Sequence, residues 1–296
     1  NRELACPKGT SARTVNGETM CVHPVVKCAC SGIGNPITPE AGQKIQVEQD
    51  GMFDGRSLSR YYNSLGSVFA VGSALQTHSL GVRWRDGFDY RLQSMPGTTS
   101  VVAALSMPSG AIQYFRNDGT AVLGTETGTY RLTATATGYD VRSAAELLRF
   151  DSMGKLISLH TAGGRGYTLT YSDGTAAGAT GQVAKDANGA ALTGAAVPAN
   201  QLIKVESDSG RTLYYERDVA GKITQMRIGA GEPLRYFYTD VDLLQKVTYP
   251  GGHSRTYHYN EPANTGGTGL PYALTGISEL DAAGNPMRYA TFAYDA

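Results

Sequence analysis

The sequence predicts an all-β protein in which β-hairpins stack edge to edge into one continuous, coiled antiparallel sheet. Three observations predict it. First, a short phrase returns in the last third of the chain: Arg211–Asp218, Pro233–Asp240 and Ser254–Glu261 are variants of one pattern, aromatic residues followed by an acidic one. The step from Asp218 to Asp240 is 22 residues and that from Asp240 to Glu261 is 21. Self-similarity at such a period marks a repeat architecture whose units are too small to fold alone. Second, the letters within each copy alternate: Thr212, Tyr214 and Glu216 on one side, Leu213, Tyr215 and Arg217 on the other, the period of a β-strand. Third, the composition suits a turn-rich sheet. Gly accounts for 37 of 296 residues, and Tyr (18) far outnumbers Phe (7) and Trp (1). Tyrosine packs its ring and keeps its hydroxyl hydrated, which fits a sheet with partly wet faces.

Residues 1–31 are a cysteine-rich lead holding all four cysteines, Cys6, Cys21, Cys28 and Cys30. An even count in a short Gly- and Pro-containing segment reads as a small disulfide-stapled module in an oxidising compartment. All three pairings stay open. Cys6–Cys21 closes a loop through Asn16-Gly17 but leaves Cys28–Cys30 as a strained short ring, which the two crossed pairings avoid. Zinc, with His23 as a further ligand, is the rival, although Cys28-x-Cys30 lacks the two-to-four-residue spacing of zinc fingers.

Residues 32–138 read as a lead-in β region. A Pro/Gly-punctuated connection over 32–57 contains the alternating Lys44–Gln49. Segments 67–71, 81–84, 90–93, 99–105, 112–115 and 130–135 then read as meandering strands. Residues 139–296 read as the repeat sheet. In its clearest unit, Arg211–Asp218 is a strand, Asp218-Val-Ala-Gly221-Lys222 a turn and Ile223–Ile228 a second strand: a β-hairpin. Leu147–Leu159, with Gly154 at its turn, and Gly166–Gly174 are fainter copies. Thr291–Ala296 opens another with Tyr294-Asp295, so the chain is expected to be a fragment of something longer. Tyr215, Tyr238, Tyr259 and Tyr294 are the expected stacking aromatics. Gly154, Gly221 and Gly284 are the expected turn glycines. Asp151, Asp218, Asp240 and Asp295 sit at strand-to-turn corners, where a carboxylate accepts bonds from backbone N–H groups. Residues 174–200 break the rhythm with small uncharged residues and read as an exposed insertion loop unable to bury enough surface to order itself. A second insertion covers 261–271. The best helix candidate, Ser143–Leu148, reads instead as the start of a strand.

Several function classes are excluded on residues. Lys+Arg and Asp+Glu number 26 each, giving zero net charge without a basic run, which argues against nucleic acid and anionic membrane surfaces. No stretch approaches the length of a membrane helix. The five histidines form no metal-ligand pattern, and His258 reads as a half-buried sheet residue. No nucleophile elbow or phosphate loop is present, and no catalytic, metal or cofactor residue can be nominated.

Tyr-Asp followed by x-x-Gly-Lys/Arg-Leu/Ile at a period near twenty resembles the YD repeats of the Rhs family, which polymorphic toxins, insecticidal toxin-complex C components and teneurins share. Gly34–Lys44 resembles the lead-in phrase of bacterial Rhs proteins. Leu58–Ser64 and Leu80–Leu92 resemble the segment that opens their repeats, so the likeness spans residues 32 to 296. It implies a ribbon that spirals into part of a hollow shell or barrel around a C-terminal polypeptide, in a secreted or cell-surface bacterial protein. The implied partner is downstream YD-repeat or C-terminal polypeptide of the same gene product, and no catalysis is expected. Family members cut themselves at paired Asp-Pro-x-Gly phrases; this chain has no Asp-Pro dipeptide, so that activity is not carried over. The alternative expectation is a surface adhesin or a module binding a cell-surface protein or glycan through exposed tyrosines.

Overall fold

A computed structural model describes residues 11–15, 18–22, 37–38, 43–64, 79–95, 101–124, 130–280 and 284–294. The chain is all-β, with no α-helix among the described residues. A hairpin of β1 (Ser11–Val15) and β2 (Glu18–Val22) comes first. A four-stranded sheet follows in the order β3 (Ile37–Thr38), β4 (Gln43–Phe53), β5 (Arg56–Asn63), β6 (Trp84–Asp86). A second four-stranded sheet comprises β7 (Arg91–Ser94), β8 (Ala103–Ser106), β9 (Ile112–Phe115) and β10 (Ala121–Gly124).

The rest is dominated by one antiparallel sheet of 13 strands. It starts with β11 (Arg131–Ala134), β12 (Gly138–Arg142), β13 (Glu146–Asp151), β14 (Leu156–Thr161) and β15 (Gly166–Tyr171). The strands β16 (Val183–Lys185) and β17 (Ala191–Ala196) form a separate hairpin. The large sheet resumes with β18 (Leu202–Ser207), β19 (Thr212–Arg217), β20 (Ile223–Ile228), β21 (Leu234–Tyr238) and β22 (Leu244–Thr248). It ends with β23 (Ser254–Tyr259), β24 (Leu274–Leu280) and β25 (Pro286–Thr291). Apart from the step from β15 to β18, each strand pairs with its neighbours in sequence, and the sheet is open, with β11 and β25 as its outer strands. Ser143–Leu148 does enter a strand, β13.

The turns are built alike. At Asp218 the residue's own N–H donates to Lys222 O, and Gly221 N–H donates back to Asp218 O. The same pair of bonds closes the turns that start at Asp151, Thr161, Ser207, Thr239 and Tyr249. The fourth residue takes positive φ, 85° at Gly221 and 61° at Asp242, the one non-glycine at that place. The corner side chain accepts from the turn's amides. Asp218 Oδ1 takes Ala220 and Lys222 N–H at 2.9 Å each, Asp151 Oδ1 takes Met153 and Lys155 N–H, and Thr239 Oγ1 takes Leu243 N–H at 3.1 Å. In the fourth hairpin, then, Thr239 holds the corner, and Asp240 lies exposed one residue beyond it.

Residues 174–200 depart from the expected bare loop. Ser172 N–H still bonds Gln201 O, so the hairpin β15–β18 closes across the insertion. β16 and β17 then fold back on β19 and β20. Gln182 Nε2 donates to Tyr215 O at 2.9 Å, Lys185 pairs with Glu216 at 3.1 Å, and Gln225 Nε2 donates to Ala187 O. Ala184 and Val197 are wholly buried. Gln182 and Lys185 of the insertion and Glu216 and Gln225 of the sheet make the bonds that the insertion's small residues lack. The second insertion also keeps its closure, Asn260 N–H to Ala273 O, and contains a 3₁₀ turn at Pro262–Asn264.

The expected strand at 67–71 lies outside the described residues, as do Cys6, Cys28, Cys30, His23 and Asp295. Cys21 falls in β2, for which only the backbone is described. No pairing of the cysteines follows from the structure.

Gly154 and Gly221 test the turn geometry. Gly221→Val forces a branched side chain into positive φ with Gln201 Cδ 2.9 Å from the new Cβ, and chemical denaturation is expected to show a loss of roughly 1–3 kcal/mol. Gly154→Val is expected to cost more, because its Cβ would collide with the backbone oxygen of Leu92. Equal losses at the two sites would refute the tight docking of β7 on that turn.

Candidate functional site: two tyrosine columns and a polar seam

The strands that climb toward the Asp218-type turns present two residues each to one face of the sheet. One column runs Leu148, Leu169, Tyr215, Tyr236, Tyr257; its neighbour runs Phe150, Tyr171, Arg217, Tyr238, Tyr259 and continues to Tyr294. Of the four expected stacking aromatics, Tyr238, Tyr259 and Tyr294 share the second column, and Tyr215 belongs to the first.

The second column stitches the sheet. Each returning strand carries a β-bulge just after its turn, with one extra residue: Ile157, Ile203, Thr224, Gln245 and Thr275. A bulge interrupts the ladder and leaves a backbone group without its cross-strand partner. The carbonyl just before each bulge is met by a side chain of the next climbing strand or, for the last, of the segment that follows β25. Tyr171 Oη donates to Leu156 O at 2.7 Å, Tyr238 to Ile223 O at 2.5 Å, Tyr259 to Leu244 O at 2.7 Å and Tyr294 to Leu274 O at 3.0 Å. At the remaining place Arg217 Nε donates to Leu202 O at 2.7 Å. The bond recurs at every bulge of this series, and arginine fills the position once.

The first column grips the lead-in region. Arg60 of β5 and Asp50 of β4 form an ion pair at 2.6 Å with both side chains 1% exposed. Arg60 Nη1 donates to Tyr257 Oη at 2.9 Å and Nη2 to Tyr249 Oη at 3.0 Å, while Tyr236 and Tyr249 donate to Asp50. The guanidinium also lies within 6 Å of the Trp84, Tyr236 and Tyr257 ring centroids. Burial works against the Arg60 charge, but Asp50 and the tyrosines outweigh it and hold its pKa well above the ordinary value. Burial pushes Tyr236 and Tyr257 well up, so both keep their phenolic protons; Tyr236 donates to Asp50, and Tyr257 accepts from Arg60. Trp84 is fully buried, packs at a tilt with its ring centroid 4.8 Å from that of Tyr257 and donates its indole N–H to Tyr259 Oη at 2.8 Å.

Tyr215 reaches a second polar group. Its hydroxyl lies 3.2 Å from Asp86 Oδ1, which also accepts the Phe88 amide at 2.9 Å. Asp89 Oδ2 takes the Ser79 hydroxyl at 2.5 Å and the Asp86 amide at 2.9 Å. Desolvation and the neighbouring Asp89 raise Asp86 to about 7. The fully buried Arg217 supplies the nearby positive charge; burial lowers its pKa and the two aspartates oppose that shift. The loop is tied to the repeat turns as well, by Ile223 N–H to Ser79 O and Val82 N–H to Asp242 O.

Along the rim, Lys44 is lowered to about 8 by burial; its ammonium donates to Ile45 O and Gln46 Oε1. Arg255 bridges Glu48 and Glu279. His258 lies half-buried in β23 with a ring nitrogen 2.8 Å from Ser278 Oγ. Among the described residues no three His, Cys, Asp or Glu side chains converge to hold a metal ion, and no helix is long and apolar enough to cross a membrane. The Asp86–Asp89 pair has a carboxyl poised near neutrality, but Asp86 is only 6% exposed and its Oδ1 is already bonded twice. The arrangement of this seam is that of an anchor: charges of the lead-in sealed under tyrosines of the sheet. The alternating letters gave the strands; the tyrosine partners of Arg60, Asp50 and Asp86 lie 129 to 199 positions away, and no local pattern marks them.

Comparison of the chain with protein-family models found no match, and comparison with curated proteins found none either.

Two outcomes test the seam. Arg60→Met leaves Asp50 buried without a counter-charge, and urea melts are expected to show a loss of roughly 3–5 kcal/mol; a loss below about 1 kcal/mol, the range of a surface pair, would refute the anchor. Asp86 gives a pH signature. The unfolded chain releases this proton near the ordinary aspartate value, whereas the folded protein keeps it up to about pH 7. In between, the folded state binds more protons, so this group's contribution makes stability fall as pH rises from about 4 to about 7 and level off above. Denaturation at a series of pH values is expected to show a shallower fall over that window in Asp86→Asn; unchanged slopes would disprove the assignment.

Proposed function

We propose that this chain is a non-catalytic wall segment of the Rhs/YD-repeat type, whose work is to enclose or present a polypeptide of the same gene product outside the cell. The observation that carries the reading is the repeated stitch. Five successive bulges are each closed by a side chain of the next hairpin, so every unit prepares the docking place of its successor and the sheet grows by one rule. Bulges add right-handed twist wherever they occur. Five of them on the same end of alternate strands give the sheet a consistent reason to coil. The lead-in strands β4–β6 stop one face of this wall, and β25 offers an unpaired edge that a further hairpin of the same kind fits. The buried Arg60–Asp50 and Asp86–Tyr215 contacts serve the joint between stopper and wall.

Protease protection tests the proposal. In the expressed full gene product, a polypeptide carried after the repeats is expected to survive digestion that rapidly cuts the same polypeptide made alone. Cleavage at equal rates would overturn the enclosing role.

A further inference from the structure

Residues 79–92 run along the turn end of the large sheet as two arms on either side of β6. The first arm, Ser79–Val82, is held by Ile223 N–H to Ser79 O and Val82 N–H to Asp242 O, each 2.8 Å. The second, Gly87–Leu92, is held by Leu92 N–H to Gly154 O at 3.0 Å. Glycine lets backbone approach backbone at both arms: a Cβ on Gly81 would collide with Asp242 O, and one on Gly154 with Leu92 O. Asp86 and Asp89 stand where the arms meet. Asp89 Oδ2 takes the Ser79 hydroxyl of the first arm at 2.5 Å and the Asp86 amide at 2.9 Å. Asp86 Oδ1 takes the Phe88 amide of the second arm at 2.9 Å and lies 3.2 Å from the Tyr215 hydroxyl of the sheet. The two carboxyl groups thus tie both arms to each other and to β19.

The other ionisable groups around the pair come from its own strand and from the sheet. Arg85 gives its guanidinium to Ser106 Oγ and Met107 O, and Arg217 of β19 gives its own to Leu202 O and Gly221 O. Arg85 is lowered by burial to about 10 and stays charged at neutral pH. Tyr171, Tyr215 and Tyr236 are pushed up by burial and keep their protons, as does Tyr238 beside Arg217; Arg91 adds its charge near Tyr171. Within this group, protonation between about pH 4 and about pH 7 changes at the aspartates.

We propose that Asp86 and Asp89 make these arms a pH-operated latch, closed on the turns while the pair holds a proton and loosened when it holds none. Ionising both sets two like charges in a place of low dielectric, and opening relieves this by hydrating them. The closed arms hold the Asp86 proton more tightly than open ones, so closure is favoured fully below the ordinary aspartate value and progressively less as pH rises to about 7. Loosening parts no strand pair within either sheet. What yields are the three backbone bonds and the isolated bridges Val82–Leu243 and Arg91–Lys155, while β6 keeps Trp84 in place. The inference concerns the joint and stands whether or not the wall encloses a polypeptide.

Native-state hydrogen exchange on the full chain, resolved to single amides and corrected for intrinsic rates, measures it. Between about pH 5 and about pH 8, protection of the Val82, Leu92 and Ile223 amides is expected to fall at least about tenfold relative to that of Ser207, whose N–H bonds Arg211 O at the opposite end of the sheet. In Asp86→Asn the three amides are expected to keep equal protection at both pH values. Asp89→Asn, which removes the neighbouring charge, is expected to move the fall to higher pH values no longer but to lower ones. A fall shared equally by Ser207, no fall at the three amides, or full pH dependence in folded Asp86→Asn would overturn the latch. Should Asp86→Asn not fold, an unshifted fall in Asp89→Asn overturns it instead.

Discussion

The sheet rests on the fate of one carbonyl per hairpin. A bulge placed just after each turn takes a backbone oxygen out of the ladder, and a buried oxygen left unpaired costs about 1–3 kcal/mol. The molecule resolves this with the same device five times, a donor from the next climbing strand. The bond links units that adjoin in the sheet but are not the two arms of one hairpin, so it makes the twist of each unit depend on the presence of the next. Tyrosine suits the task because its ring fills the face while its hydroxyl reaches the oxygen. Arg217 shows that the requirement is for a long side chain with a hydrogen-bond donor, and it uses its further nitrogen on Gly221 O.

The same faces had to be covered, and the lead-in region supplies the cover. Its contribution is a layer of large rings, Phe53, Tyr62, Trp84 and Phe88, within one cluster that also contains Tyr215, Tyr236 and Tyr257. A purely apolar layer would leave the tyrosine hydroxyls without partners. Arg60, Asp50 and Asp86 are the groups that satisfy them, and each is in turn shielded by the rings it serves. This polar seam fixes where the lead-in sits along the sheet, since sliding it by one strand would set each charge under the wrong hydroxyl.

Much of this was legible in the letters. Period-two alternation and the Asp-x-x-Gly turn located the hairpins, and all five segments read as copies, from Leu147–Leu159 to Ser254–Glu261, entered paired strands. The finer register was less legible. Ser172, Thr239 and Asn260 occupy the corner that Asp151 and Asp218 mark, because any short side chain with an acceptor oxygen serves there. A search for aspartate therefore shifts the fourth unit by one residue, from Thr239 to Asp240. The order within residues 174–200 was hidden for another reason: its stabilising partners Glu216 and Gln225 lie in strands that follow it. The joint between lead-in and sheet was hidden entirely, being made of single residues far apart in the chain.

Both insertions leave from the same end of the sheet, after β15 and after β23, and each returns to a backbone bond equivalent to the one that closes a plain turn. Each hairpin keeps that closing bond although the chain beyond it makes a long excursion, which in the first case docks on β19 and β20. The remaining turns of that end, at Gly154, Ile223 and Asp242, are pinned to residues 79–92 and have no such freedom. The repeat thus contains two places among fixed neighbours where it accepts extra chain, and their exposed stretches, such as 173–179, are where foreign epitopes or fluorophores can be spliced with least disturbance of the strands.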